Sequence, residues 1–136
     1  MKVFKKSILL IVCLLTICLV GCKKELPEPN EQGISATNLE IERALQSIIV
    51  DSSYKRLTNN LRLPLKADGK YLIKWTVSES DYVYIQMIGE DSVLKVTRPE
   101  SEYTMFTLTA EIEDSKGREY GVRTWTCYIA PKIYKK

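Results

Sequence analysis

The strongest constraint on the fold is a hydrophobic period of two that begins near Leu61 and runs to the C-terminal end. A period of two belongs to strands whose faces meet different surroundings, one buried and one wet. Phe106, Leu108, Ala110 and Ile112 alternate with Thr107, Thr109, Glu111 and Glu113, and Trp125, Cys127 and Ile129 alternate with Thr124, Thr126 and Tyr128. Val83, Ile85 and Met87 alternate with Tyr82, Tyr84 and Gln86, with residues 93–97 as the partner strand. Ile73, Trp75 and Val77 share a face within 71–77. Leu61, Leu63 and Leu65 alternate with Arg62 and Pro64, which places this strand near an edge because proline cannot donate to a ladder. Asp68-Gly69, Gly89-Glu90-Asp91 and Ser115-Lys116-Gly117 supply the turns. The expectation is a mainly β chain, an antiparallel two-sheet sandwich.

One short α-helix should precede the strands. Ile41, Ala44, Leu45, Ile48 and Ile49 recur at helical spacing, opposite Glu40, Glu42, Arg43 and Gln46. Thr37 and Glu40 fit a capping box, and Asp51-Ser52-Ser53 is the expected end. Such a helix packs on a sheet edge or a sandwich end.

The first 21 residues read as an address. Lys2, Lys5 and Lys6 precede an apolar run from Ile8 to Val20. That run falls short of the roughly 20 apolar residues a spanning helix needs and matches an export signal. Leu19-Val20-Gly21-Cys22 resembles the signal-peptidase recognition box of bacterial lipoproteins. The resemblance implies lipidation at the Cys22 thiol, cleavage before it, and a membrane anchor of several palmitate-type acyl chains. One chain alone binds marginally, at about 0.8 kcal/mol per buried CH2, whereas several hold firmly. Lys23 after the cysteine is not the aspartate associated with inner-membrane retention, so the expected site is the outer membrane, with Lys23-Lys24-Glu25 resembling cell-surface export signals.

Removal of residues 1–21 changes the charge argument. The chain has 20 Lys and Arg against 17 Asp and Glu, and three of the lysines but none of the acids lie in the signal, leaving 17 against 17. A near-neutral chain has no electrostatic footprint for nucleic acid. Of the 4 cysteines, Cys13 and Cys18 leave with the signal and Cys22 carries lipid, so Cys127 has no partner for an intramolecular disulfide. The fold must rest on its apolar core. Residues 22–36 read as the lipidated cysteine and a solvated linker, with Pro27, Pro29 and Gly33. Residues 37–130 form the domain and 131–136 a C-terminal tail.

The ordered series Leu61-x-Leu63-Pro64, Ile73-x-Trp75, Val96-Thr97-Arg98-Pro99 and Phe106-Thr107-Leu108-Thr109-Ala110-x-Ile112 resembles the bacterial atypical immunoglobulin-like domain. The resemblance spans residues 37–130 and implies an immunoglobulin-like β-sandwich with a short N-terminal α-helix. Such modules accompany secreted polysaccharide-degrading enzymes and surface proteins as non-catalytic parts. The chain departs from the family pattern at 78–91, which is longer and more aromatic than the turn expected after the tryptophan.

The side-chain inventory agrees with a non-catalytic role. There is no histidine, which removes the commonest general base and most zinc sites. Cys127 is in phase with Trp125 and Ile129 and reads as core. Glu111 and Glu113 read as a solvated face rather than a glycosidase pair. Glu90-Asp91 and Glu113-Asp114 follow no calcium-ligand pattern, so no catalytic residue, metal or cofactor is expected. The candidate ligand face is Tyr82, Tyr84 and Gln86, where flat rings beside an amide suit stacking on sugars. The expected function is a lipid-anchored envelope protein with an immunoglobulin-like structural or protein-interaction module, with surface glycan binding through the tyrosine face as the alternative. The expected partners are the membrane, through lipid at Cys22, and an envelope protein or glycan.

Overall fold

A computed structural model describes residues 33–133 together with 26 and 28. The expected cleavage box Leu19, Val20, Gly21 and Cys22 lies outside the described residues.

Among the described residues the strands are β1 (Ile34–Ala36), β2 (Leu61–Leu63), β3 (Lys66–Ala67), β4 (Tyr71–Leu72), β5 (Lys74–Val77), β6 (Val83–Ile88), β7 (Asp91–Val96), β8 (Thr104–Glu113) and β9 (Tyr120–Ile129), paired antiparallel, and all but β1 fall in the region of period two. Among the described residues they make a four-stranded sheet in the order β1-β9-β8-β5, a three-stranded sheet in the order β2-β7-β6, and the hairpin β3-β4. The chain is mainly β with one short α-helix, α1 (Leu39–Gln46). Leu57 adds a parallel bridge to Ile129, its N–H donating to the Tyr128 carbonyl at 2.7 Å.

The longest ladder, β8 against β9, runs from Thr104 opposite Ile129 to Glu113 opposite Tyr120. It sets Leu108 beside Trp125 and Phe106 beside Cys127, so the apolar members of both alternations share one face. That face and the inner face of the other sheet, with Leu63 and Leu94, form a single apolar cluster. Burying a leucine of this kind contributes about 1.5–3 kcal/mol relative to exposure. The Trp75 and Trp125 rings meet inside it, 5.6 Å apart and tilted by 38°. The Trp75 indole N–H donates to the Pro64 carbonyl at 2.7 Å, tying the Leu-Pro segment to the tryptophan strand. Asp68 and Gly69, at φ 52° and 62°, both take the left-handed conformation of a primed hairpin turn and close β3 onto β4.

The helix lies where β1 and β9 meet. Its apolar side is Ile41, Ala44 and Leu45, all buried. It rests directly on β9 because Gly121 has no side chain: a Cβ there would stand 2.7 Å from Ile41 Cγ2 and 2.8 Å from Leu45 Cδ1. At the helix C-terminus the carbonyls of Leu45 and Ile48 accept from Arg123 Nη1 at 2.9 and 3.0 Å, while the guanidinium stacks 4.7 Å from the Trp125 ring. Burial holds the Arg123 pKa below its ordinary value.

Several expectations are corrected. Asn38, not Thr37, caps the helix, its Oδ1 accepting from Ile41 N at 2.8 Å. Thr37 instead extends the β1–β9 ladder, exchanging bonds with the backbone of Tyr120. The helix stops at Gln46, so helical phase no longer governs the next residues: Ile48 is buried but Ile49 is 84% exposed. Asp51 caps a short 3-10 helix (Ser52–Arg56) rather than ending α1. The stretch 71–77 breaks at Ile73, whose N–H leaves the strand for the Leu65 carbonyl at 2.9 Å. The linker expected to run to residue 36 ends earlier, because Ile34–Ala36 pair with β9 and Ile34 is buried. The tail expected from 131 is held through its first residues. The Lys132 and Ile133 N–H groups donate to the Pro99 and Glu100 carbonyls, and Arg98 donates to the carbonyls of Ala130 and Pro131.

Candidate functional site

Strand β6 carries the candidate ligand face. It is the outermost strand of the three-stranded sheet and pairs with β7 from Val83 opposite Val96 to Ile88 opposite Asp91. Val83 is buried and Ile85 half-buried, so the opposite phase points away from the core. Tyr84 (58% exposed) and Gln86 stand outward there, and the exposed Tyr82 precedes them with its carbonyl accepting from Thr97 N at 2.7 Å. The structure therefore brings Tyr82, Tyr84 and Gln86 to one accessible surface. Lys95 lies opposite Tyr84 and Val93 opposite Gln86. Arg62, opposite Val93 on β2, is tied to Asp91 at 2.5 Å. Aromatic faces, an amide and cations can together stack on a ring and hydrogen-bond to hydroxyls.

Met87, expected to face inward with Val83 and Ile85, is 59% exposed. The hairpin end of an outermost strand projects past the core, and the Met87 sulfur instead accepts from the Ser92 hydroxyl at 3.0 Å. Ile88 is exposed beside it. Alternation alone does not reveal this apolar end, although the nearby Gly89-Glu90 turn is a signal for it.

A concavity of about 970 Å³ lies between the start of α1, the β3–β4 hairpin and the β8–β9 turn. Its polar centre is one oxygen of Glu40, which accepts from Lys70 Nζ at 2.7 Å and from the Tyr71 hydroxyl at 2.6 Å. The Lys70 bond, then the Tyr71 bond, holds the Glu40 carboxyl below its ordinary pKa, and Glu40 in turn raises both Lys70 and Tyr71. These groups are solvated, and a surface pair of this kind contributes little to stability. Glu111 and Glu113 at the same cleft are exposed, as a solvated face requires. Burial raises the pKa of Asp114, but backbone N–H groups of the turn outweigh it, Arg118 at 2.8 Å and Lys116 at 3.2 Å, so the carboxylate serves as a turn brace. Among the described residues no group of three or more His, Cys, Asp or Glu is placed to hold a metal ion.

Cys127 is fully buried among core residues, and burial pushes its thiol up to about 11. Little thiolate exists there at neutral pH, so the sulfur is chemically quiet. Among the described residues no helix is long and apolar enough to cross a membrane. Comparison of the chain with protein-family models, with curated proteins and with solved structures finds no match.

Proposed function

We propose that this chain is a lipid-anchored protein of the bacterial cell envelope whose domain is a single non-catalytic, atypical immunoglobulin-like sandwich acting as a structural or protein-interaction module. The observation that carries the interaction role is the concentration of exposed aromatic and apolar side chains on and beside β6: Tyr82, Tyr84, Met87 and Ile88. The finer fold assignment is supported by the strand orders β1-β9-β8-β5 and β2-β7-β6 and by the parallel bridge of Leu57 to the end of β9. The anchor rests on Leu19-Val20-Gly21-Cys22. Its test is fractionation of cells producing Cys22→Ala: the exported variant should leave the membrane fraction, and an exported variant that stays bound would sink the anchor. Protease shaving of intact cells reports the orientation, with digestion of the domain expected for surface display at the outer membrane.

A second reading, surface glycan binding, is favoured by the shared exposure of Tyr82, Tyr84 and Gln86. Its test is a glycan panel probed with the chain and with a Tyr82→Ala, Tyr84→Ala double variant of unchanged circular dichroism. Saturable binding lost in the double variant supports this reading, and binding to no glycan removes it.

A further inference from the structure

The outer edge of β9 has a gap one position long. On one side of it the Thr124 N–H donates to the Gly33 carbonyl at 3.0 Å. On the other, the Leu57 N–H donates to the Tyr128 carbonyl at 2.7 Å and the Ala130 N–H to the Leu57 carbonyl at 2.8 Å. Thr126 lies between. Its partner in β8, Thr107, spends its own backbone groups on Ser78, on the side away from β9. Alternation therefore turns the Thr126 N–H and carbonyl to the outer edge. Among the described residues no strand or bridge pairs with that edge at Thr126.

A concavity of about 720 Å³ opens over this gap, with Tyr54, Lys55, Arg123, Thr126 and Tyr128 in its wall. That volume lies in the range of about 300–1,000 Å³ that holds small ligands. Among the described wall residues the charged ones are Lys55 and Arg123, and none is an acid. The ion pairs among the described residues lie elsewhere, at Arg62, Lys70 and Lys132. Lys55 is exposed, its Nζ 5.9 Å from the centre of the Tyr54 ring, and Tyr128 is 41% exposed. Arg123 donates to the carbonyls at the end of α1, so it adds positive field to the groove.

We propose that this groove binds an acidic sugar, with a uronate carboxylate on Lys55, the ring face on Tyr128, and ring hydroxyls on the Thr126 N–H and carbonyl. The proposal depends neither on the anchor nor on the β6 face. Two cations without an acid favour a negative ligand. A phosphate or sulfate dianion would meet the cations but has no donor for the Thr126 carbonyl, whereas a sugar hydroxyl both donates and accepts. An acidic peptide added as a strand needs a run of edge positions, and Gly33 and Leu57 leave it one. An aromatic face beside polar groups suits a sugar ring.

The test is isothermal titration calorimetry of the full chain in detergent, at low salt, with trigalacturonate, its neutral methyl ester, inorganic sulfate and hexaglutamate. Trigalacturonate should bind saturably, and the ester at least about ten-fold more weakly, since a charge-assisted bond contributes about 1.5–3 kcal/mol and each 1.4 is ten-fold. Lys55→Gln and Tyr128→Ala, each with unchanged circular dichroism, should weaken trigalacturonate about ten-fold on the same grounds. Lys66→Gln, an exposed cation on β3, should stay within about two-fold, because charges beyond a Debye length are screened. No binding of trigalacturonate, equal binding of the ester, tighter binding of sulfate or hexaglutamate, or an equal loss in Lys66→Gln would each overturn the proposal. So would full affinity in folded Lys55→Gln. Binding lost in the Tyr82→Ala, Tyr84→Ala double variant but kept in Lys55→Gln would overturn this site and support the β6 face instead.

Discussion

Replacing Arg123 with alanine should destabilise the domain by about 2–3 kcal/mol. Two hydrogen bonds from its guanidinium, at 2.9 and 3.0 Å, satisfy carbonyls at the end of α1. Bonds from a charged donor contribute about 1.5–3 kcal/mol each, and half-burial argues for the lower end, about 3 kcal/mol for the two. Stacking on Trp125 at 4.7 Å adds about 0.5–1 kcal/mol. Against these, Arg123 Nε is buried without a hydrogen-bond partner, and removing that unsatisfied group returns about 1 kcal/mol. With a urea m-value of about 1–1.5 kcal/mol/M for a domain of this size, the midpoint should fall by about 2 M. Arg123→Met keeps the stem over the indole but has no donor, and should lose most of the same stability. Arg123→Lys, which can reach one carbonyl, should lose about half. Urea unfolding followed by circular dichroism measures all three. An Arg123→Ala midpoint within about 0.3 M of the parent would refute the capping argument, and a fully stable Arg123→Met would show that packing alone matters.

Gly121→Ala places a Cβ against Ile41, Leu45 and the Ser35 carbonyl oxygen at 2.9 Å; overpacking of this kind costs about 1–3 kcal/mol, and a change below about 0.5 kcal/mol in urea unfolding would show that the helix can lift freely. Trp75→Phe keeps the ring stack but leaves the Pro64 carbonyl without its indole donor, for an expected loss of about 1–2 kcal/mol, and parental stability would contradict it. The Cys127 thiol keeps its proton in the folded chain up to about 11, against an ordinary 9.0. Its stabilising contribution is complete below the unfolded pKa and is lost as pH rises toward the folded one. Over that window about 1.4 kcal/mol should disappear per pH unit, and Cys127→Ala should remove that component from the measured pH dependence. Equal slopes in the two proteins would refute the assignment.

The strands and their inward faces were legible because alternation is a local property: Phe106, Leu108, Ala110 and Ile112 face the core in β8, as do Trp125, Cys127 and Ile129 in β9. The Tyr82, Tyr84 and Gln86 face was readable for the same reason. Its exposed end at Met87 was not, because phase assigns a side and not how far the opposite sheet reaches. Position Arg123 shows the same limit. It shares the inward phase of Trp125, yet nothing local to β9 says that the carbonyls at the end of a helix will stand within its reach.

Residue order alone settles period, turn chemistry and helix face, since each depends on side chains and dihedral preferences within a few residues. Asp68-Gly69 and the Ile41, Ala44 and Leu45 stripe are of this kind. Contacts between distant segments required the assembled fold: Thr37 with Tyr120, Arg98 with the end of β9, and the pairing of Ile34–Ala36 out of linker-like composition. A backbone hydrogen bond is available to almost any residue, so a short polar segment becomes a strand only when another edge stands beside it.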